Sequence, residues 1–88
     1  MRLKGEFIVR EVAGETIVIP VGKTAANFNG MICLNATGKL VWKGLQDGKN
    51  SDDIVETIVS EFEVSREEAA EDLASFLQQL QDNDLLEI

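Results

Sequence analysis

The segment Met31-Ile32-Cys33-Leu34-Asn35-Ala36-Thr37-Gly38 marks a change in the periodicity of the sequence. Upstream of it, apolar residues alternate with a period near two, which is typical of strands. Downstream, they recur every three or four positions, which is typical of helices. The apolar run of residues 31–34 stops at Asn35, a residue type favoured at helix N-caps. We therefore predict that a short third strand connects a small sheet to a group of helices.

The composition is that of one globular domain covering residues 1–88, with 44% hydrophobic residues. Its apolar runs are all far shorter than the ~20 residues that a membrane-spanning helix requires. The N-terminal segment lacks the apolar region of a signal peptide, and Cys33 is the single cysteine. We therefore expect a cytoplasmic protein with no membrane partner.

The net charge of −8 is distributed unevenly along the chain. Residues 1–50 contain seven basic and four acidic residues, whereas residues 51–88 contain twelve acidic residues and one basic residue, Arg66. An acidic surface repels the phosphates of nucleic acids and of anionic lipids. The second half therefore argues against nucleic acid as a partner.

Two runs rich in β-forming residues, 6–12 and 15–21, flank Ala13-Gly14 and predict a hairpin. Pro20 cannot donate to a strand ladder and marks an edge or a strand end. Residues 22–30 are predicted to form a loop, which Phe28 attaches to the body of the domain. We expect apolar residues of the two strands to meet on one face of the hairpin. These residues are Phe7, Val9, Ile17, Ile19 and Val21.

Three helices are predicted after the third strand, the last of them ending near Asp82. A glycine in the first turn of the first helix, Gly38, indicates either the close approach of another backbone or weak local selection. The apolar residues 85–86 should pack back on the core. The predicted N-caps are Asn35, Ser51 and Ser65. Strands followed by helices, in the order β-β-β-α-α-α, indicate an α+β fold with a three-stranded antiparallel sheet.

Residue types that support catalysis are scarce. The chain has no histidine, so it lacks the commonest general base and the commonest transition-metal ligand. Cys33 has no histidine with which to form a thiolate pair and no second cysteine with which to form a redox or zinc motif. Its apolar neighbours favour a small buried side chain. The glycines form no phosphate-binding loop. We therefore expect a protein that is not an enzyme and that holds no cofactor or metal.

Binding functions remain, and three of them are compatible with the predicted fold. A hairpin combined with a helix-turn-helix pair is the arrangement of a winged-helix transcription regulator, but the third helix would then place Glu67, Glu68 and Glu71 against DNA. A small sheet also has open edges, which can accept an extended peptide as an additional strand. The same edge can accept a second copy of the chain, which would give a dimeric structural subunit.

The sequence resembles the PqqD family, the small peptide chaperones of pyrroloquinoline quinone biosynthesis. The matching features are Leu34-Asn35-x-Thr37-Gly38, the segment Leu40-Val41-Trp42 with Gly48 six residues on, Ser51-Asp52-Asp53-Ile54-Val55, the Glu-rich third helix with Phe76-Leu77, and the Leu85-Leu86 ending. The wider class is the RiPP recognition element, which binds leader peptides of ribosomally synthesised precursors. The resemblance extends over nearly the whole chain, which indicates a stand-alone member.

The resemblance implies a winged-helix-like fold in which the leader peptide adds as a strand beside the third strand and against the third helix. It also implies a partner, typically a radical S-adenosylmethionine enzyme, to which the precursor is presented. The chain itself would be a monomer or a weak edge-mediated homodimer. Carried onto this sequence, the peptide-binding residues would be Met31, Ile32, Cys33, Leu34, Asp72, Phe76 and Gln79.

Overall fold

The computed structural model describes residues 1–27 and 30–87. Its elements are β1 (Arg2–Leu3), β2 (Phe7–Val12), β3 (Glu15–Pro20), α1 (Gly22–Asn27), β4 (Ile32–Leu34), α2 (Ala36–Gln46), α3 (Ser51–Phe62), α4 (Arg66–Asp82) and β5 (Leu86–Glu87). The strands β2, β3 and β4 form an antiparallel sheet in that order, and three longer helices follow it. The predicted α+β order is confirmed.

The β2–β3 hairpin turns at Ala13 and Gly14, whose φ angles are 53° and 83°. Positive φ at both central residues is the type I′ turn, which matches the twist of the flanking strands. This two-residue turn pairs Val12 with Glu15 and fixes the register of the whole hairpin.

The predicted buried face of β3 is wrong. The side chains that point into the core are those of Thr16, Val18 and Pro20, whereas Ile17 and Ile19 are only half-buried on the opposite face. Phe7 and Val9 lie across from Pro20 and Val18, so they cannot meet Ile17 and Ile19. Both faces of β3 carry apolar residues, and only the position of the helices decides which face is covered. Pro20 does end the strand, as predicted.

Residues 22–27 form the short helix α1 instead of the predicted loop. The helix is less than two turns long, so its sequence shows no helical periodicity. It is positioned by a tertiary contact, since the Thr24 hydroxyl accepts a hydrogen bond from the Glu6 backbone N–H at 2.8 Å. Phe28, which we expected to attach this segment, lies outside the described residues.

The three long helices begin at side-chain caps. Asn35 accepts from the Gly38 N–H at 2.8 Å and Ser65 accepts from the Glu68 N–H at 3.0 Å, which confirms both predicted caps. The third prediction is wrong by one residue, because Asn50 caps α3 and Ser51 is its first helical residue. Both residues are good caps by type, and sequence alone did not distinguish them.

The core lies between the sheet and the helices. Val18 from β3 and Val41 and Trp42 from α2 are almost completely buried. The ring of Phe7 meets Trp42 edge-on at a centroid distance of 5.2 Å, which joins β2 to α2. Among residues 1–27 and 30–87, no helix is long and apolar enough to cross a membrane.

The helices α2 and α3 approach closely at Gly44, a position that the sequence did not single out. A Cβ atom at this residue would lie 2.8 Å from Cγ1 of the buried Ile54. Such a separation is too short for two carbon atoms, so only glycine allows this packing.

The two ends of the chain pair with each other, which we did not predict. β1 and β5 form a two-stranded antiparallel ladder, and Leu85 and Leu86 are buried beside it, as expected for the apolar tail. Two exposed ion pairs close this ladder, Arg2 with Glu87 and Lys4 with Asp84. The Arg2 hydrogen bond lowers the pKa of Glu87, and the Asp84 hydrogen bond raises the pKa of Lys4.

We predict that Gly44→Val lowers the free energy of unfolding by about 1–3 kcal/mol, because the new side chain collides with Ile54. Valine has a better helix propensity than glycine, so a loss would come from the contact and not from the backbone. Lys43→Val is the matched control, since Lys43 is the exposed neighbour on the same helix. Denaturant unfolding followed by Trp42 fluorescence measures both variants. Equal stabilities would contradict the predicted collision.

We predict that the Arg2–Glu87 ion pair contributes to stability at neutral pH and not in acid. The pKa of Glu87 is lowered in the folded chain, so its contribution is present above the ordinary value of 4.5 and is lost as the pH falls through the folded value. Glu87→Gln should therefore reduce the unfolding midpoint slightly at about pH 7 and leave it unchanged at about pH 2. If Glu87→Gln lowered the unfolding midpoint by the same amount at both pH values, the assignment of this stabilisation to the ion pair would be refuted.

Candidate functional site

The strand β4 is an edge strand, because it pairs with β3 on one side and has no partner on its other side among the described residues. Its side chains alternate: Ile32 and Leu34 are buried and Cys33 is exposed between them. The expectation that Cys33 is buried is therefore wrong. An apolar run of three residues does not reveal that a strand lies at an edge with only one face covered.

The direction of the backbone groups of β3 follows from the hairpin turn. The residues that flank a type I′ turn, Val12 and Glu15, form a hydrogen-bonded pair. Backbone N–H and C=O groups point alternately to the two sides of a strand. Those of residues 15, 17 and 19 therefore point towards β2, and those of residues 16 and 18 point towards β4. The bond from the Val21 N–H to the Glu6 carbonyl, at 3.0 Å, continues this alternation.

The same alternation identifies the free backbone groups of β4. Thr16 pairs with Leu34, and Val18 pairs with Ile32. The N–H and C=O groups of Ile32 and Leu34 are therefore hydrogen-bonded to β3. The backbone N–H and C=O groups of Cys33 therefore point to the open edge. By the same alternation, so do those of Met31, the residue just before the strand. This edge therefore offers two N–H donors and two C=O acceptors to an additional strand.

A groove begins where β4 ends and lies between the first turns of α2 and the middle of α4. Its volume is about 250 Å³. The lining residues are Asn35, Thr37, Gly38, Val41, Asp72, Ser75, Phe76 and Gln79. We call this the α2–α4 groove.

The floor of the α2–α4 groove depends on Gly38. A Cβ atom there would lie 3.3 Å from Cε2 of Phe76 and 3.6 Å from Cδ2 of Leu34. The expected close approach at this glycine is therefore real, but the neighbours are the side chains of Asn35, Phe76 and Leu34 and not another backbone. The contact brings the end of β4, the start of α2 and the middle of α4 together.

The seven predicted site residues divide into three groups. Met31 and Cys33 are exposed at the open edge, and Met31 lies just before the strand as the structure defines it. The side chains of Ile32 and Leu34 point into the core and hold the strand in place. The predicted residues of α4 line one groove together: Asp72, Phe76 and Gln79.

The sequence-based reasoning missed five other residues of the groove, one of which is Asn35 at the N-cap of α2. Ser75 lies on the same stripe of α4 as Asp72 and Gln79, at a spacing of three and four, so the helical period could have found it. Thr37, Gly38 and Val41 come from α2, and no periodicity relates them to α4. Only the packing of the two helices brings these residues together.

Charged groups are sparse in the groove. Asp72 is the only charged residue in its lining, and its carboxylate is not in any ion pair found among the described residues. On α2, Lys39 is paired with Glu11 of β2, and this hydrogen bond lowers the pKa of Glu11.

The surface of α4 does not suit DNA. Its one basic residue, Arg66, is paired with Glu56 of α3. Glu67, Glu68 and Glu71 are exposed on the same helix. A recognition helix requires free basic groups for phosphates and base edges, and this helix offers the opposite charge.

Two solved structures are similar to the chain over almost its whole length. One is TbiB1 in complex with the TbiA(beta) leader peptide, with a TM-score of 0.79 and 26% sequence identity over 99% of this chain and 95% of that one. The other is lasso peptide synthetase B1 complexed with the leader peptide, with a TM-score of 0.76 and 26% identity over 96% of this chain and 93% of that one. No curated protein matches the chain.

The family model described as coenzyme PQQ synthesis protein D (PqqD) matches residues 7–86. The match begins at the first residue of β2 and ends in β5, so it includes the three-stranded sheet, the three long helices and the α2–α4 groove. A match of this extent, together with the two structural likenesses, shows that the chain belongs to the PqqD family.

Proposed function

We propose that the chain is a non-catalytic module that binds the leader peptide of a ribosomally synthesised precursor by adding it as a strand to β4. The observation that carries this proposal is the open edge at Met31 and Cys33, which lies beside a groove on the helical side. Membership of the PqqD family and the leader peptides named in both similar structures support it.

Each site residue has a separate role in this proposal. Met31 and Cys33 supply main-chain hydrogen bonds to the peptide, and the buried side chains of Ile32 and Leu34 keep the strand rigid. An added strand alternates as β4 does, so every second peptide side chain points to the helical side. Those side chains enter the α2–α4 groove, where Asp72, Phe76 and Gln79 receive them.

The groove must supply much of the affinity. Four main-chain hydrogen bonds at ~1 kcal/mol each only offset an association cost of at least ~4 kcal/mol. Two aliphatic peptide side chains that leave water and pack beside Phe76 add about 1.5–3 kcal/mol each. The resulting dissociation constant is roughly millimolar to tens of micromolar. Tighter binding requires further contacts from the polar residues of the groove.

The bound precursor is presented, in this proposal, to a separate modifying enzyme in the cytoplasm, of the radical S-adenosylmethionine class. The chain supplies recognition and that enzyme supplies the chemistry. An exposed edge also leaves the chain open to pairing with a copy of itself. The net charge of −8 opposes this pairing and favours the monomer.

Amide hydrogen exchange tests the assignment of the open edge. The N–H groups of Met31 and Cys33 should exchange rapidly in the free protein and become protected when a synthetic leader peptide of a precursor encoded near this gene is added. The N–H groups of Ile32 and Leu34 should be protected in both states, because β3 accepts them. A peptide that binds without protecting Cys33 would refute strand addition at β4.

A proline substitution tests the same edge by affinity. Cys33→Pro removes an N–H that points away from β3, so the sheet should persist while the peptide loses a donor. We expect the affinity for the same leader peptide to fall about tenfold or more, as measured by calorimetry. Val9→Pro is the matched control, because Val9 directs its N–H outward from β2 at the opposite edge. Equal losses in the two variants would contradict the proposal.

A further inference from the structure

The α2–α4 groove combines an apolar floor with one unpaired charge. The half-buried ring of Phe76 forms the apolar part beside Gly38, with the buried Val41 beneath, and Asp72 lies one helical turn before Phe76 on the same face of α4. The polar groups around them are the uncharged side chains of Asn35, Thr37, Ser75 and Gln79. A carboxylate beside an aromatic ring, in a groove with no basic residue among its described lining, is suited to a long cationic side chain.

We infer that the bound peptide carries a lysine or arginine whose aliphatic stem lies over Phe76 and whose charged end pairs with Asp72. This inference rests on the proposed function, because it assumes a peptide strand beside β4. The basic residue would occupy the inward-facing peptide position next to Leu34, since the groove opens at that end of the strand. Asp72 is then a specificity-determining residue.

The charge of the whole chain supports a basic peptide as the occupant. Residues 51–88, which include α3 and α4, hold twelve acidic residues against Arg66, and Arg66 is already paired with Glu56. A field of this sign attracts cationic segments and accelerates their association. The same field repels a second copy of this chain, which carries the same net charge of −8.

Selection from a displayed library of random peptides tests the inference without knowledge of the natural precursor. The unmodified chain and its variants Asp72→Lys and Glu71→Lys would each be used as bait. Glu71→Lys is the matched control, because Glu71 is the exposed neighbour of Asp72 on α4, carries the same charge and does not line the groove. Circular dichroism and Trp42 fluorescence establish that both variants are folded.

We expect peptides selected on the unmodified protein to share a lysine or arginine at one position. They should bind Asp72→Lys about tenfold more weakly or worse, and Glu71→Lys with at most about a threefold loss. Exchanging the shared basic residue for glutamate should restore binding to Asp72→Lys. Raising the salt concentration should weaken binding to the unmodified protein more than binding to Asp72→Asn.

The possible failures are distinguishable. Selected peptides that bind through β4 but show no basic preference would overturn the inference and leave the proposed function standing. Equal losses for Asp72→Lys and Glu71→Lys would also overturn it, because the effect would then come from the overall field. A library that yields no binder at all would overturn the proposed function and the inference with it.

Discussion

The contact between Gly38 and the ring of Phe76 holds the functional part of the molecule together. It allows the first turn of α2 to pack directly against α4, while Leu34 at the end of β4 packs against the same point. Asn35 completes this junction, since its side chain caps α2 at the Gly38 N–H. A Cβ atom at position 38 would lie 3.2 Å from Oδ1 of Asn35 and 3.3 Å from Cε2 of Phe76, so a side chain there would require these neighbours to shift and would alter the groove.

A second constraint, the type I′ turn at Ala13 and Gly14, decides what the open edge offers. The turn fixes which residues of β3 point their backbone groups towards β4. As a consequence, the backbone groups of Cys33 have no partner on β3. A slip of one residue would bury Cys33 and send Ile32 and Leu34 outward. The buried anchors and the free backbone groups of β4 are thus two consequences of one register.

In β4, the side chains fix the strand to the core, while outward backbone groups remain free to pair with another strand. Its side chains at Ile32 and Leu34 are buried in the core, so the strand is held without the support of a second neighbour. Its outward backbone groups face the open edge of the sheet, where a peptide strand would pair with them in the proposed function. In the proposed mode of binding, a strand held in this way would lose little conformational entropy when a peptide pairs with it.

Local signals in the sequence determined the order of the three strands of the sheet and the three long helices, and most of their ends. The change of period around residues 31–34 located the third strand, and side-chain caps at Asn35 and Ser65 located two helices. The helical period of α4 placed Asp72, Phe76 and Gln79 on one stripe, and the structure brings them to one groove. The motifs of the first helix and its surroundings pointed to the PqqD family, which the family match confirms.

Features that depend on contacts between distant segments were decided only by the tertiary structure. The covered face of β3, the exposure of Cys33 and the contribution of Thr37 and Val41 to the groove follow from where the helices pack. The pairing of β1 with β5 joins two segments at opposite ends of the chain, neither of which is long enough to show a period. Sequence patterns record the environment of a residue along its own element, whereas these features depend on which other element lies opposite.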